Sequence, residues 1–244
     1  MIVAQASDIH AAPDNDNLTR FDRALSWLTA LELDALVLSG DLIDDGWVQG
    51  YEEIAVRLRG LRCPVLLLPG NSDDRNAMWE AFPERVGAVA DHAAMHFVAQ
   101  IGDLRLIGID TCLSDTSAGN VGEHVSWLEA ALMQAGTDAS LVFAHHHLVG
   151  SGIEPMDASM AQGVPLLRDM LRRCARRPLA FSTGHVHRAM TGMLAGVPVH
   201  VCGSICPANP LWFGGPVVPG AHEGPMVMIH RLADGGLVSS HVAV

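Results

Sequence analysis

The sequence has 244 residues, 49% of them hydrophobic and 17% charged; that is enough apolar mass for one large domain and too little charge for a disordered chain. A formal net charge of -12 excludes a broad grip on nucleic-acid polymers or anionic membranes, but not one small phosphate ester held by local positive charge. Five cysteines, Cys63, Cys112, Cys174, Cys202 and Cys206, with no close CxxC pair, read as reduced thiols of a cytoplasmic protein, and no long apolar segment suggests a signal peptide or a membrane span.

Ile2 to Ala6 is an apolar run of strand length, followed by Ser7-Asp8-Ile9-His10. On an extended backbone Asp8 and His10, two apart, point the same way. Residues 11–17 form a polar loop. From Thr19, read as an N-cap, the period changes, and Phe21, Leu25, Leu28 and Leu31 share one helix face. Ala35-Leu36-Val37-Leu38 is a second buried strand, running into Ser39-Gly40-Asp41, and Asp44-Asp45-Gly46 is a turn. Tyr51, Ile54, Leu58 and Leu61 mark a second amphipathic helix, ended by Cys63-Pro64. Val65–Leu68 is a third strand. It runs into Pro69-Gly70-Asn71-Ser72-Asp73-Asp74, and a short helix over Ala77–Phe82 stops at Pro83.

Runs at 95–100 and 104–110 flank Gly102-Asp103, a hairpin signal. Residues 112–122 form a small-residue loop, and Val125, Leu128 and Leu132 mark the next helix. Leu141–Ala144 is a strand ending in His145-His146-His147. Residues 148–163 read as loop, and Pro165 fits the first turn of a helix through Cys174. Leu179–Ser182 is a strand ending in Thr183-Gly184-His185-Val186-His187. The remainder reads as β, with paired runs at 189–194 and 197–203 and at 226–231 and 237–243. Between the pairs lies a proline-rich loop, 206–225, carrying Trp212-Phe213. Alternating strands and helices, then hairpins, with no repeat and no linker, predict one α/β domain over residues 1–244 with mixed sheets.

Five buried strands thus end in metal-ligand residue types: Asp8 with His10, Asp41, Asn71, His145, and His185 with His187. In α/β sheets, sites form at the carboxyl ends of strands. These seven donors are too many for one catalytic ion with an open position. They suit two ions about 3.5–4 Å apart sharing a bridging carboxylate, which we assign to Asp41. Imidazole with carboxylate suits manganese, iron or zinc better than calcium or magnesium. Each piece alone has an ordinary use: Asp8 and His10 as strand-end caps, Gly40-Asp41 as a turn, Asn71 as a loop residue bonding backbone. The order and placement together carry the two-metal expectation. His92, His96, His124, His200, His222, His230 and His241 lack a partner at ligand spacing and read as structural or surface residues; Cys202 and Cys206 are an alternative metal pair.

The order Asp-x-His, Gly-Asp, Gly-Asn, His-His, Gly-His-x-His resembles the calcineurin-like metallophosphoesterase superfamily. Gly40-Asp41-Leu42 and Pro69-Gly70-Asn71-x-Asp73-Asp74-Arg75 resemble its class III cyclic-nucleotide phosphodiesterase branch. The resemblance runs over about residues 2–200. It implies a four-layer α/β/β/α sandwich with two mixed β-sheets. It also implies one ion on Asp8, His10, Asp41 and His187, a second on Asp41, Asn71, His145 and His185, and ester hydrolysis by in-line attack of metal-bound hydroxide. One departure stands out: where the family has histidine after Gly-Asn, this chain has Ser72, a poor proton donor near neutral pH. The expectation is a shift to better leaving groups or strained rings, or use of another acid such as His146; the alternative is a weakened site.

The function expected is hydrolysis of a small organic phosphodiester, a cyclic nucleotide first and a glycerophosphodiester second, with Asn71, Ser72 and His146 contacting phosphoryl oxygens. The rivals are a phosphomonoesterase or protein phosphatase, and a non-catalytic scaffold on the same fold. Loop 206–225 has four roles open to it: stacking a base, covering the site, a plain surface crossing, or a homodimer contact.

Overall fold

Strand β1 (Ile2–Ala6) has apolar surroundings on both faces. Ala4 and Ala6 pack beneath helices, whereas Val3 packs against a second sheet. Burial on both faces is why the run reads as continuously apolar rather than alternating. The structure, a computed structural model, describes residues 1–83, 94–114, 116–134, 136, 139–211, 217–220, 222–233 and 236–244.

Strands β1, β2 (Ala35–Ser39) and β3 (Val65–Leu68) are parallel neighbours, Val3 facing Ala35 and Leu36 facing Val65. On the other side of β1, β10 (Met226–Ala233) and β11 (Gly236–Ala243) extend this sheet antiparallel, giving the order β11-β10-β1-β2-β3. The second sheet holds β4 (Phe97–Ile101), β5 (Leu104–Ile109), β6 (Ser140–Ala144), β7 (Ala180–Thr183), β8 (Met190–Leu194) and β9 (Val197–Val201), in the order β4-β5-β6-β7-β9-β8. It is parallel from β5 through β6 and β7 to β9, and antiparallel at both edges.

Three apolar layers separate four structural ones. Phe21, Leu25 and Leu28 of α1 (Asn17–Leu28) and Tyr51, Ile54 and Leu58 of α2 (Gln49–Leu58) cover Leu36, Leu38 and Leu67. Leu128 and Leu132 of α4 (Val125–Met133) and Leu167, Met170 and Leu171 of α6 (Val164–Arg173) cover Ile107, Val142 and Phe181. Between the sheets, Val3, Val37 and Leu68 meet Leu104, Leu106, Leu141 and Phe143. The result is the expected α/β/β/α sandwich of two mixed sheets.

The same interface carries a buried polar chain. The Gln5 amide donates to Ser39 Oγ (2.8 Å) and to the Thr183 carbonyl (3.2 Å), the Ser182 hydroxyl donates to Gln5 Oε1, and His230 Nε2 lies 3.1 Å from Ser182 Oγ.

Several boundaries differ from the sequence reading. Helix α1 starts at Asn17, not after Thr19, because the side-chain amides of Asn15 and Asn17 both donate to the His10 carbonyl (2.9 and 2.8 Å) and close the turn early. Leu31 and Leu61 lie beyond their helices. Helix α3 spans Arg75–Ala81, two residues earlier than expected, because Asp74 caps it by accepting from Ala77 N (3.0 Å). The 148–163 loop contains a one-turn helix, α5 (Glu154–Asp157). Asp234-Gly235, between the last two paired runs, Trp212-Phe213 and His92 lie outside the described residues. All five cysteines are thiols, and among the described residues no helix is long and apolar enough to cross a membrane.

Candidate metal centre

The five strand ends named from the sequence do converge. Past β1 and β2 the loops continue parallel pairing: Asp8 N donates to the Gly40 carbonyl (3.0 Å), His10 N to that of Asp41 (2.9 Å) and Ala11 N to that of Leu42 (3.0 Å). Gly184 N does the same for the second sheet, donating to the His145 carbonyl (2.8 Å). The Asp8 carboxylate joins the sheets by accepting from His185 N at 3.1 Å.

Asp8, His10, Asp41, His185 and His187 all have positive φ, between 50° and 70°. Non-glycine residues seldom adopt this region, and its concentration marks a place where the surroundings over-determine the backbone. Gly40 (φ 98°) permits the closest approach: a Cβ there would stand 2.6 Å from both Gly70 N and His145 Nδ1.

The inward atoms form two overlapping groups. His10 Nε2 is 3.0 Å from His187 Nε2 and 3.3 Å from Asp41 Oδ2, and His187 Nε2 is 3.5 Å from Asp8 Oδ1. His145 Nε2 is 3.3 Å from the same Asp41 Oδ2, 3.3 Å from Asn71 Oδ1 and 3.2 Å from His185 Nδ1. Asp41 therefore stands between the groups. Of the seven, Asp8, Asp41, His145 and His185 are buried, whereas His10, Asn71 and His187 are half-buried.

The outer nitrogens of the four rings fix what the inner ones can do. His145 Nδ1 faces the Ser39 carbonyl at 2.9 Å, so it carries a proton and Nε2 is the nitrogen turned to the pocket. Ser159 Oγ donates to the Met156 carbonyl (3.0 Å) and so accepts from His185 Nε2 (2.7 Å), leaving His185 Nδ1 bare. His187 Nδ1 meets Cys206 Sγ at 3.4 Å. His10 Nδ1 lies 3.6 Å from the Asp44 carboxylate. The inner nitrogens of His10 and His145 thus face the Asp41 carboxylate, that of His187 faces Asp8 and that of His185 faces His145 Nε2. Buried carboxylates and imidazoles gathered this closely require positive charge among them, whether protons or a metal cation. The donor set, imidazole nitrogen with carboxylate and carboxamide oxygen, is one that could hold metal ions.

The proton equilibria express the same demand for positive charge. Burial works against protonation of His10 and His145, yet the Asp41 carboxylate raises both to about 9. Burial and the neighbouring His145 hold His185 well below the ordinary imidazole value; burial and His10 lower His187. Asp41, although buried, is held well below the carboxylate range by His145 and His10.

Of the residues expected to meet a phosphoryl group, Asn71 directs Oδ1 into the cluster. Ser72 faces Asp41: its backbone N and Oγ lie 2.8 and 2.9 Å from Asp41 Oδ1, and Oγ is 2.7 Å from the Ile43 carbonyl. Both oxygens of Asp41 are thereby assigned, Oδ1 to Ser72 and Oδ2 to the pocket. The His146 ring lies beside those of His145 and His185 (centroids 4.9 and 4.8 Å apart), with Nδ1 on Thr111 Oγ1 (2.8 Å) and Nε2 on the Ser117 carbonyl (3.1 Å). Burial and His145 lower His146 to about 3, so it is neutral.

Sequence reasoning gave Ser159 no role, read Cys206 only as one of an alternative metal pair with Cys202, and named Asp73 only within the Pro69–Arg75 motif. Ser159 and Cys206 back two of the rings. Asp73 binds the loops together, accepting from Leu42 N (3.0 Å), Gly70 N (2.8 Å) and Tyr51 Oη (3.0 Å); burial and Asp41 push it up to about 6 while the Gly70 and Tyr51 bonds oppose them. His147 turns away to Asp157 (3.4 Å). The histidines read as structural behave differently from the cluster: His230 is buried between Ser182 and Ser239, and His96 stacks on Trp127 (4.3 Å). A cavity of about 650 Å³ at the C-terminal ends of α1 and α2, lined by residues such as Leu33, Leu61 and Cys63, shares no residue with the cluster.

Residues 1–189 match the family described as calcineurin-like phosphoesterases. The chain is 28% identical over 230 residues to a protein named as a probable cyclic nucleotide phosphodiesterase from Rhodopseudomonas palustris, a match covering 86% of this chain and 82% of that one. It is 33% identical over 168 residues to a glycerophosphodiester phosphodiesterase from Enterobacter lignolyticus, covering 64% of this chain and 60% of that one. Among solved structures, a dimetal phosphatase from Danio rerio aligns over 100% of this chain and 96% of its own with a TM-score of 0.76 and 12% identity, a likeness of fold alone.

Proposed function

The chain belongs to the calcineurin-like phosphoesterase family, and on that premise we propose that residues 1–244 form one cytoplasmic phosphodiesterase domain that hydrolyses a small organic phosphodiester at two transition-metal ions. The supporting observation is the ring of four imidazoles, each with its outer nitrogen turned to a partner and its inner nitrogen turned to a carboxylate or a neighbouring ring around Asp41. Asp8, His10, Asp41 and His187 would hold one ion, and Asp41, Asn71, His145 and His185 would hold the other. Manganese, iron or zinc ions bound there would supply Lewis-acid charge opposite a phosphoryl oxygen and lower the pKa of a water at the site.

The chain's own part is to hold that arrangement and meet the ester. Ser72, through N and Oγ, occupies Asp41 Oδ1 and keeps Oδ2 turned inward. His185 N pins the Asp8 carboxylate. The Asn71 amide NH₂ is the donor we assign to a phosphoryl oxygen. Ser72 Oγ is engaged at Asp41 and Ile43, and His146 is neutral with both nitrogens in use. Neither has a proton in hand for a departing alkoxide, so the site suits esters whose leaving group needs little help. A strained cyclic nucleotide fits that requirement better than an unstrained glycerophosphodiester, the other diester named among the relatives.

The test is a hydrolysis panel on manganese-loaded protein: bis(p-nitrophenyl) phosphate, p-nitrophenyl phosphate, 3′,5′- and 2′,3′-cyclic AMP, and glycerophosphocholine. Diesters turned over well ahead of the monoester, with a cyclic nucleotide ahead of glycerophosphocholine, is the expected result. A faster monoester would reassign the enzyme as a monoesterase. No turnover with two ions bound would leave the scaffold reading.

A further inference from the structure

We propose that Cys206 is a positioning residue of the metal centre: its sulfur accepts the outer N–H of His187 and so sets the affinity of one of the two ions without affecting the other. The inference rests on the two-metal reading above.

The thiol is held in place by its backbone. Cys206 N donates to the Asp8 carbonyl (2.9 Å) and Ile205 N to that of Ser7 (3.0 Å), so the segment after β9 runs alongside the loop that carries Asp8 and His10. The Arg20 guanidinium donates to the carbonyls of Ile205 (2.6 Å) and Cys206 (3.3 Å), and Ser204 Oγ donates to that of Cys206 (2.8 Å). These bonds leave the side chain buried, 5% exposed, with Sγ 3.4 Å from His187 Nδ1 and 3.6 Å from the Pro207 carbonyl. The S–H is therefore directed to Pro207 and the sulfur lone pair to His187.

A ligating histidine almost always donates its other N–H to an oxygen, and that outer partner orients the ring. His145 uses the Ser39 carbonyl and His185 the Ser159 hydroxyl. His187 uses sulfur, and it does so at the position shared with His10 and Asp8, not with Asn71 and His145. The two ions consequently have separate outer supports, on different loops: Cys206 after β9 for one, Ser159 after α5 for the other. Removing one support should release one ion.

The experiment measures how many ions the manganese-loaded protein retains against increasing chelator, for wild type, C206A, C206S and S159A. Wild type should retain two ions. C206A should lose one of them at roughly 10- to 100-fold lower chelator while the second holds as in wild type, the usual cost of deleting an outer partner. C206S, which keeps an acceptor, should restore wild-type retention, a rescue that a space-filling role would not give. S159A should release the other ion, so that C206A and S159A differ in which histidine remains metal-shielded by NMR. C206V, which fills the site without supplying an acceptor, carries the comparison if the alanine variant does not fold. Unchanged retention in C206A, or C206S as weak as C206A, overturns the proposal while two-ion binding by wild type stands. A sulfur-to-cobalt charge-transfer band in the cobalt-loaded wild type also overturns it, by making the thiol a direct ligand. Fewer than two ions on wild type overturns the two-metal reading and this inference with it.

Discussion

At the scale of single residues, Ser72 concentrates the question of what this centre has become. A histidine at this place would contribute an acid; the serine instead ties down Asp41 Oδ1 through both its amide and its hydroxyl. Ser72→Ala keeps the amide bond and removes the hydroxyl one. A hydrogen bond to a charged group is worth about 1.5–3 kcal/mol, and Asp41 stands between both groups of side chains, so on the proposed two-ion reading both ions should bind roughly tenfold or more weakly, with kcat at saturating metal nearly kept. Ser72→His should raise the rate for alkyl leaving groups more than for nitrophenolate. Chelator titration checks the first; kcat/KM ratios across a leaving-group series check the second. An equal change on all leaving groups would remove proton donation as the meaning of the substitution.

At the scale of elements, what holds the centre is the contact between loops that leave different sheets. Arg75, at the start of α3 after β3, makes a two-point pair with Asp110 at the end of β5 (2.7 and 2.9 Å) and donates to the Cys112 carbonyl (2.8 Å). Asp110 also accepts from Met95 N and Cys112 N. Its side chain is fully buried, yet Arg75 holds its carboxyl below the usual range. Because the folded state depresses this pKa, the pair stabilises fully above the unfolded carboxylate value near 3.9 and loses its effect as pH falls through the lower folded value. Arg75→Ala leaves a buried carboxylate without its cation and should cost about 3 kcal/mol at neutral pH, measured by urea unfolding. Asp110→Asn should flatten the acid limb of stability against pH. An Arg75→Ala variant as stable as wild type would mean the sheets are registered by the apolar interface alone.

This scale also explains how far the sequence could be read. A strand buried on both faces is a run of Val and Leu, and its end is announced by the first polar residue, so Asp8, Asp41, Asn71, His145 and His185 were legible together with the layers that gather them. Ser159 was not, and Cys206 was read only as a possible metal partner of Cys202, not as the neighbour of His187. Each reaches its histidine from an irregular loop, 26 and 19 residues distant in the chain, where no period or spacing carries a signal. Ser72 was legible as a departure, but its turn toward Asp41 depends on the approach of Gly70 to Asp41, which only the folded chain shows. The early start of α1 was hidden for a like reason, since Asn15 and Asn17 bond a carbonyl on the preceding loop.

At the scale of the whole molecule, the centre brings together loops from both sheets, so ion binding and folding are one equilibrium. An ion that binds the folded chain only, present at a hundred times its Kd, stabilises by about 2.7 kcal/mol. For a chain of this size each kcal/mol moves Tm by about 2–4 °C, so each ion should raise Tm by roughly 5–10 °C and a chelator should reverse the rise. Unfolded segments hold these ligands far apart, His10 from His187 by 177 residues and Asp41 from His145 by more than a hundred, which leaves little competing affinity in the unfolded state. Asp41→Asn preserves shape and an acceptor for Ser72 but removes the charge shared by both groups, so its Tm should be nearly indifferent to manganese and its activity lost together with the shift. Calorimetric scans of both proteins with and without manganese decide the matter. A wild type whose Tm ignores manganese, or an Asp41→Asn variant that responds as wild type does, would mean that the converged carboxylates and imidazoles are held together by protons and packing rather than by ions.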